Sequence, residues 1–353
     1  MSNRGSVDDV IRQINEVVSS WNGPVVVAYS GGKDSSTVLK LVVGAWKKFA
    51  NLRKDIKIIY CDTGVENPLV SEFVKNTFAS LKEELKCLGI DDPVRILKPD
   101  IRQRYFVRVI GRGYPPPTQF FRWCTKDLRI RPVQRFLRKL GKDPLVLIGT
   151  RSGESAQRDR TFGEVPEGPF IRRQSDGGLS THLYSPIINF SLDDVWETLV
   201  DLEHPRSVNI AELMRIYRDG GGECPVVRET NDRPCSSARF GCWTCTVVRR
   251  DRSAEKMVES GHHTLRPYLE FRQWLSELRN NPTMRCKRRR NGSLGLGPLT
   301  LSARELIYQK VLALEEIVGV RLLEDAEKAE IRRLWREDQS SMAYCRLEGE
   351  GNY

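Results

Sequence analysis

No apolar run in the 353 residues approaches the roughly 20 that a membrane-spanning helix needs, so a transmembrane carrier or channel is excluded as a helical design. The opening stretch, Met1 to Asp9, has no apolar core of the signal-peptide kind, and the expectation is a cytoplasmic protein without a membrane association. Internal repeats and long low-complexity segments are absent, which excludes a repeat array. Acidic residues are scarce in one place above all. Residues 102–139 carry eleven Lys or Arg and a single acid, Asp127, and the whole chain has a formal net charge of +11. A polyanionic partner fits that balance. Nine cysteines in a cytoplasmic chain read as metal ligands or reactive thiols rather than disulfides. Hydrophobic residues at 39% and charged residues at 29% indicate a soluble globular protein with one large or two ordinary domains.

The stretch that organises the rest is Ser30-Gly31-Gly32-Lys33-Asp34-Ser35. A β-branched run ending in Ala28 and Tyr29 precedes it, and a segment with helical apolar spacing follows, so the pattern is strand, glycine loop, helix. Free N–H groups at a helix start attract an anion, Lys33 adds a positive charge, and Ser30 and Ser35 add hydroxyls. It is not a Walker A loop: Val27 stands where that motif has its first glycine, and Asp34 where it has Ser or Thr. Residues 7–19 predict a helix on the sheet edge. Ile56 to Asp62 predicts a second buried strand that turns through Thr63 to Pro68 into a helix over 69–88, and Leu145 to Thr150 predicts a third. Asp62, Glu66, Arg151 and Arg158 then fall at the carboxyl ends of strands, where open α/β sheets bind ligands.

The basic stretch interleaves Tyr105, Phe106, Tyr114, Phe120, Phe121 and Trp123, an arrangement suited to a nucleic-acid strand or to a solvated basic helix. Cys124 lies among Arg122, Lys126 and Arg129, surroundings that predict a lowered thiol pKa. Ser191 predicts a helix N-cap, with Asp193 and Asp194 in the first turn. Past residue 205 helical signals dominate. There Cys224, Cys235, Cys242 and Cys245 follow a C-x10-C-x6-C-x2-C spacing that zinc or a [4Fe–4S] cluster would accept, the single short knuckle favouring the cluster. Cys87, Cys286 and Cys345 have no partner at ligand spacing. Arg285 to Arg290 forms a second basic cluster, and 302–318 and 324–338 predict amphipathic helices.

Read together, these stretches resemble the PP-loop ATP pyrophosphatases, and within them the 3′-phosphoadenylyl-sulfate (PAPS) reductase-like branch. Ser30 to Ser35 is similar to its SGGxDS loop, Asp62 to Glu66 to its DTG loop, and Arg122 to Pro132 to its RxCxxxLK-type segment. Gly149 to Arg158 is similar to its GxRxxES segment, and Tyr184 to Trp196 to its SPI…DVW junction. With the cysteine string added, residues 20–275 resemble the DNA phosphorothioation sulfurtransferase branch, DndC and the related SspD. The resemblance implies a Rossmann-like, adenine nucleotide alpha hydrolase-like α/β fold over 1–205, a mostly parallel sheet with helices on both faces. It implies a mainly helical iron–sulfur domain over 206–353. ATP, split between its α and β phosphates, and Mg²⁺ would be held by Ser30, Gly31, Gly32, Lys33, Asp34, Ser35, Asp62, Arg151 and Arg158. Lys33 and Asp34 would act at the phosphates and Cys124 would carry sulfur. Cys224, Cys235, Cys242 and Cys245 would bind the [4Fe–4S] cluster. DNA, a cysteine desulfurase and other DNA phosphorothioation proteins would be the partners. Cys345 lacks the setting of the reductases' catalytic cysteine, and the C-x-x-C of tRNA-thiolating relatives is not matched, so sulfonucleotide reduction and tRNA thiolation stand as alternatives. An iron–sulfur nucleic-acid-binding subunit without catalysis is the third.

Overall fold

The computed structural model describes residues 6–53, 55–153, 168–176, 178–221 and 240–340. Its centre is a six-stranded sheet in the order β3-β2-β1-β4-β6-β5. The strands are β1 (Val25–Ala28), β2 (Lys57–Cys61), β3 (Val94–Leu97), β4 (Leu145–Leu147), β5 (Ile171–Asp176) and β6 (Leu179–Tyr184). All neighbours run parallel except the β5–β6 pair. β1 is short and apolar on both faces, as a strand buried between helix layers must be. The helices lie in the expected places: α1 (Val7–Ser20) precedes β1, α2 (Lys33–Lys48) follows β1 and α3 (Pro68–Lys86) follows β2. Ser6 and Asp9 close a capping box on α1, and Asn67 with Pro68 opens α3.

The basic stretch does not form one helix. It folds as two wide π-type turns, Val107–Gly111 and Thr125–Ile130, followed by α4 (Arg131–Leu140). Leu137 of α4 joins Val26, Ile59 and Val146 in the core on one sheet face, so helices cover both faces. Downstream lie α5 (Leu192–Asp201), with Ser191 and Asp194 as its capping box, α6 (Ile210–Asp219), α7 (Arg252–Glu259) and α8 (Arg266–Asn280). The chain then makes α9 (Leu301–Val318) and α10 (Asp325–Ser340). On the other sheet face, a single cluster of buried side chains runs from Ile11 of α1 to Leu334 of α10.

The aromatic residues of the basic stretch are mostly inside. Tyr105, Phe106 and Trp123 are 3%, 2% and 8% exposed, so the expectation that they form stacking faces for a nucleic acid is wrong for these three. Their apolar area is worth more in the core than as a platform. Part of the positive charge is also neutralised from far away in sequence: Arg104 pairs with Glu324 at 2.6 Å and Glu327 at 3.3 Å, and Arg102 with Glu330 at 3.3 Å. Arg108 pairs at 2.8 Å with Asp127, the acid of the stretch itself. The wide turn at 107–111 leaves carbonyls outside the helical ladder. The fully buried Arg304 donates to Ile110 O at 2.7 Å and to Gly111 O, and Trp335 Nε1 donates to Ile110 O at 2.8 Å. Among the described residues, no helix is long and apolar enough to cross a membrane.

Candidate nucleotide site

β1 ends at Ala28, and the loop after it turns over Gly31 at φ +78° before α2 begins. A Cβ on Gly31 would lie 2.4 Å from Val74 Cγ2, so glycine is required by both conformation and space. Gly149, past the end of β4, is required for close approach: a Cβ there would lie 2.6–2.7 Å from the backbone of Asp34 and Ser35. The loop is tied internally. Ser30 N donates to Ser35 Oγ at 3.1 Å, and Ser35 Oγ donates to Gly32 O at 2.9 Å.

Above this loop lies a cavity of about 640 Å³, at the carboxyl ends of β1, β2 and β4. Ser30, Gly32, Lys33, Asp34 and Ser35 line its floor; Cys61, Glu66, Arg122, Arg129, Tyr217 and Phe240 contribute walls. The volume falls within the range of small-molecule sites. Lys33 is 4% exposed, its ammonium 2.9 Å from Asp34 Oδ2 and 5.3 Å from the centre of the Tyr217 ring. Its backbone N–H, at the start of α2, donates to the Tyr217 hydroxyl at 3.1 Å.

Arg151 does not line the cavity. It is buried behind the loop, with Nε 2.6 Å from Asp34 Oδ1 and Nη1 donating to Phe190 O at 3.2 Å. Its place is that of a residue holding Asp34 rather than a fork on a phosphate. Asp62 is turned to a separate cleft of about 550 Å³, and its Oδ1 accepts from Gly64 N at 2.9 Å, fixing the turn. Glu66 borders both spaces. Burial raises its carboxyl to about 7, against the pull of Arg129 at 3.5 Å, and the Tyr60 hydroxyl donates to Oε2. A carboxyl balanced near neutrality can take or give a proton in use.

Cys124 is half-buried and not on the cavity wall. The expected fall in its thiol pKa is reversed: burial raises it, the charge of Cys245 raises it further, and Arg122 offsets only part. Cys242, pushed up to about 11 by burial, feels both Cys245 and Cys124. The structure thus brings Cys124 beside the Cys242–Cys245 turn, 118 residues downstream in sequence, a neighbourhood that sequence spacing did not reveal. That turn is joined to the cavity by main chain: Glu66 and Cys242 form an antiparallel bridge, and Trp243 N donates to Val65 O at 2.9 Å. Cys61, lining the cavity, is raised to about 12 by burial, and its Sγ donates to Leu128 O at 3.0 Å. Arg158, Cys224, Cys235 and Cys345 lie outside the described residues. Among the described residues, no three Cys, His, Asp or Glu side chains are gathered closely enough to hold a metal ion.

The pattern of the phosphoadenosine phosphosulfate reductase domain matches residues 24–248, well over half of the chain. The chain belongs to that family. The match includes the glycine loop, the DTG turn, Cys124 and the Cys242–Cys245 turn, so all the walls of the cavity are family territory. The uncharacterized protein MJ0066 of Methanocaldococcus jannaschii is 24% identical over 280 residues, 76% of this chain and 48% of that protein. The chain therefore spans about half the length of this curated relative. Candida glabrata FMN adenylyltransferase structures, one with FAD and inorganic pyrophosphate and one with FMN and an ATP analogue, share 16% identity and a TM-score of 0.37. They cover 65% of this chain and 69% and 70% of the respective structures, a likeness too distant to bear on function.

Tyr217 and Phe240 are among the cavity residues that sequence reading did not assign to the site, Cys61 and Val70 being others. Tyr217 and Phe240 come from beyond the first 205 residues, and nothing in the pattern of α6 distinguishes a tyrosine that faces the glycine loop from one in the core.

Proposed function

We propose that this protein uses ATP to activate a DNA backbone phosphate and so prepares it for sulfur insertion, the chemistry of DNA phosphorothioation. The observation that carries the reading is the cavity at the strand ends, floored by the Ser30–Ser35 loop and walled by two guanidinium groups, Arg122 and Arg129. The start of α2 and Lys33 would take the β and γ phosphates, and Mg²⁺ would spread the charge that develops there. The acceptor phosphate oxygen attacks the α-phosphorus of ATP, the bond to the bridging β-phosphate oxygen breaks, and pyrophosphate leaves. The terminal sulfur of a persulfide supplied by a cysteine desulfurase then attacks the activated DNA phosphorus and displaces AMP, and a thiol reductant cleaves the remaining S–S bond, leaving sulfur on the DNA and a disulfide behind. Asp34, fixed between Lys33 and Arg151, keeps the lysine over the loop.

A [4Fe–4S] cluster is part of this reading. Cys224, Cys235, Cys242 and Cys245 would hold it, four thiolates being the donor set such a cluster takes; Cys242 and Cys245 share one turn, with Cys245 N donating to Cys242 O at 2.9 Å, and the other two lie outside the described residues. The cluster's chemistry would be to hold the 240–246 turn, electron transfer being the other use of such a centre.

The test is conversion of ATP to AMP and pyrophosphate in the presence of DNA, for the wild type and Lys33→Ala, with mass spectrometry of digested DNA for the sulfur-containing linkage. Turnover that disappears in the variant supports the proposal. No AMP under any condition favours a nucleic-acid-binding subunit without catalysis, and AMP formed only with tRNA or a sulfonucleotide favours the relatives' chemistries.

A further inference from the structure

Two segments without any acidic residue, 101–126 and 278–304, meet on one face of the molecule. Residues 285–299 fold back on themselves, with Cys286 N donating to Pro298 O at 2.9 Å and Arg289 N to Ser293 O at 2.8 Å. This basic hairpin is docked on the first segment. Leu299 N donates to Gly113 O at 2.8 Å, and Arg290 donates to Arg112 O and lies 4.7 Å from the centre of the Tyr114 ring. Phe121 stacks on Tyr114, with centroids 6.2 Å apart and planes at 17°.

Beside this stack a tight turn presents an uncovered aromatic. Thr118 and Phe121 exchange backbone hydrogen bonds at 3.3 and 3.2 Å, which leaves Phe120 99% exposed and Phe121 44% exposed. The turn is anchored: Pro117 O accepts from Thr246 Oγ1 at 2.7 Å and from Arg279 at 2.9 Å, and Trp123 Nε1 donates to Pro115 O at 3.0 Å. A rigid turn that holds a phenylalanine in water has forgone the burial such a ring gains elsewhere. The same two segments carry cations. Arg122, Lys126, Lys287, Arg288 and Arg289 are exposed and have no carboxylate partner among the described residues. Arg122, next to Phe121 in the chain, is also a wall of the nucleotide cavity.

We propose that this face is a platform for a single-stranded nucleic acid, its phosphates on the hairpin cations and its unpaired bases on Phe120 and Phe121, leading to the cavity mouth at Arg122. Unpaired bases have the exposed faces that an aromatic tip can stack on, whereas a duplex hides them. The proposal deepens the functional reading by naming the face that holds the acceptor strand, and it rests on that reading only for the reaction that follows.

The test is fluorescence anisotropy of a labelled thymidine 15-mer with the full chain across a salt series. Contacts to three or four phosphates give a log–log salt slope of about −2 to −3 for a single strand. Replacing Lys287, Arg288 and Arg289 together by Ala lowers affinity at least tenfold at low salt and removes about two units of slope. Phe120→Ala weakens binding roughly five- to hundredfold with the slope unchanged. Equal binding by the triple variant, tighter binding of a duplex of the same length, or equally effective displacement by polyglutamate overturns the platform, the last pointing to an acidic protein instead. The binding assay contains no ATP, so it separates the two readings. Oligonucleotide binding without AMP formation spares the platform and sinks the proposed reaction; AMP formation with wild-type binding by the triple variant does the reverse.

Discussion

Replacing Tyr217 by Phe tests the nucleotide site at its least expected member. The Tyr217 hydroxyl accepts the Lys33 N–H at 3.1 Å, and that N–H, at the positive end of α2, is the donor an anion bound at the loop needs. On the proposed reading, a nucleotide phosphate that takes this N–H displaces the hydroxyl. A neutral hydrogen bond of this kind contributes about 0.5–1.5 kcal/mol net. Without it the donor is already free, and affinity for a non-hydrolysable ATP analogue rises roughly two- to tenfold by the same free energy. The ring stays in place, since its edge contacts to Trp196 at 5.5 Å and Phe240 at 5.0 Å do not involve the hydroxyl. Isothermal titration calorimetry with Mg²⁺ present measures the change, and thermal melting of the free protein checks that the fold survives. Affinity that is unchanged or weaker refutes the argument: the hydroxyl would then be a ligand contact and not a competitor for the loop.

Three other outcomes follow from the geometry. Gly149→Ala drives a methyl into the backbone of Asp34 and Ser35 and lowers stability by roughly 1–3 kcal/mol, read by urea melts, with loss of nucleotide affinity beyond what the stability change explains. Arg304→Ala removes one of two donors to Ile110 O, together with its bonds to Gly111 O and the Asp338 carboxylate, and costs about 3–5 kcal/mol, seen as a fall in denaturant midpoint. Glu84 is partly buried, but the N–H groups of Ser207 and Arg206, with His204 and the Ser207 hydroxyl, bring its carboxyl down to about 2. A depressed carboxylate stabilises the fold above its unfolded pKa near 4.5, and that contribution is lost as pH falls toward 2. Acid titration of the wild type therefore loses about 1–2 kcal/mol over that window, after allowing for solvent screening of a partly exposed carboxylate, that Glu84→Gln does not.

The first half of the fold was legible because its signals are local. A β-branched run, two glycines and a helical apolar stripe specify β1, the loop and α2 without help from elsewhere. β3 was missed because it is a four-residue strand with one side partly in water, and the β5–β6 hairpin because Ile171 to Asp176 is largely polar and exposed. The basic stretch was misread for a different reason. The acids that neutralise Arg102 and Arg104 sit on or just before α10, more than 200 residues away, and no local pattern announces a pairing over that distance. Cys124 beside Cys245, and Tyr217 over the glycine loop, are likewise products of packing between the two halves.

The main-chain bridge between Glu66 and Cys242, with the Trp243 to Val65 hydrogen bond, has one more implication. Backbone bonds do not care which side chains flank them, so the splice survives substitution on either strand but not unravelling of the cysteine-bearing turn. Unravelling that turn, as oxidation of its thiols would, therefore shifts the Glu66 wall of the cavity from 176 residues away in sequence.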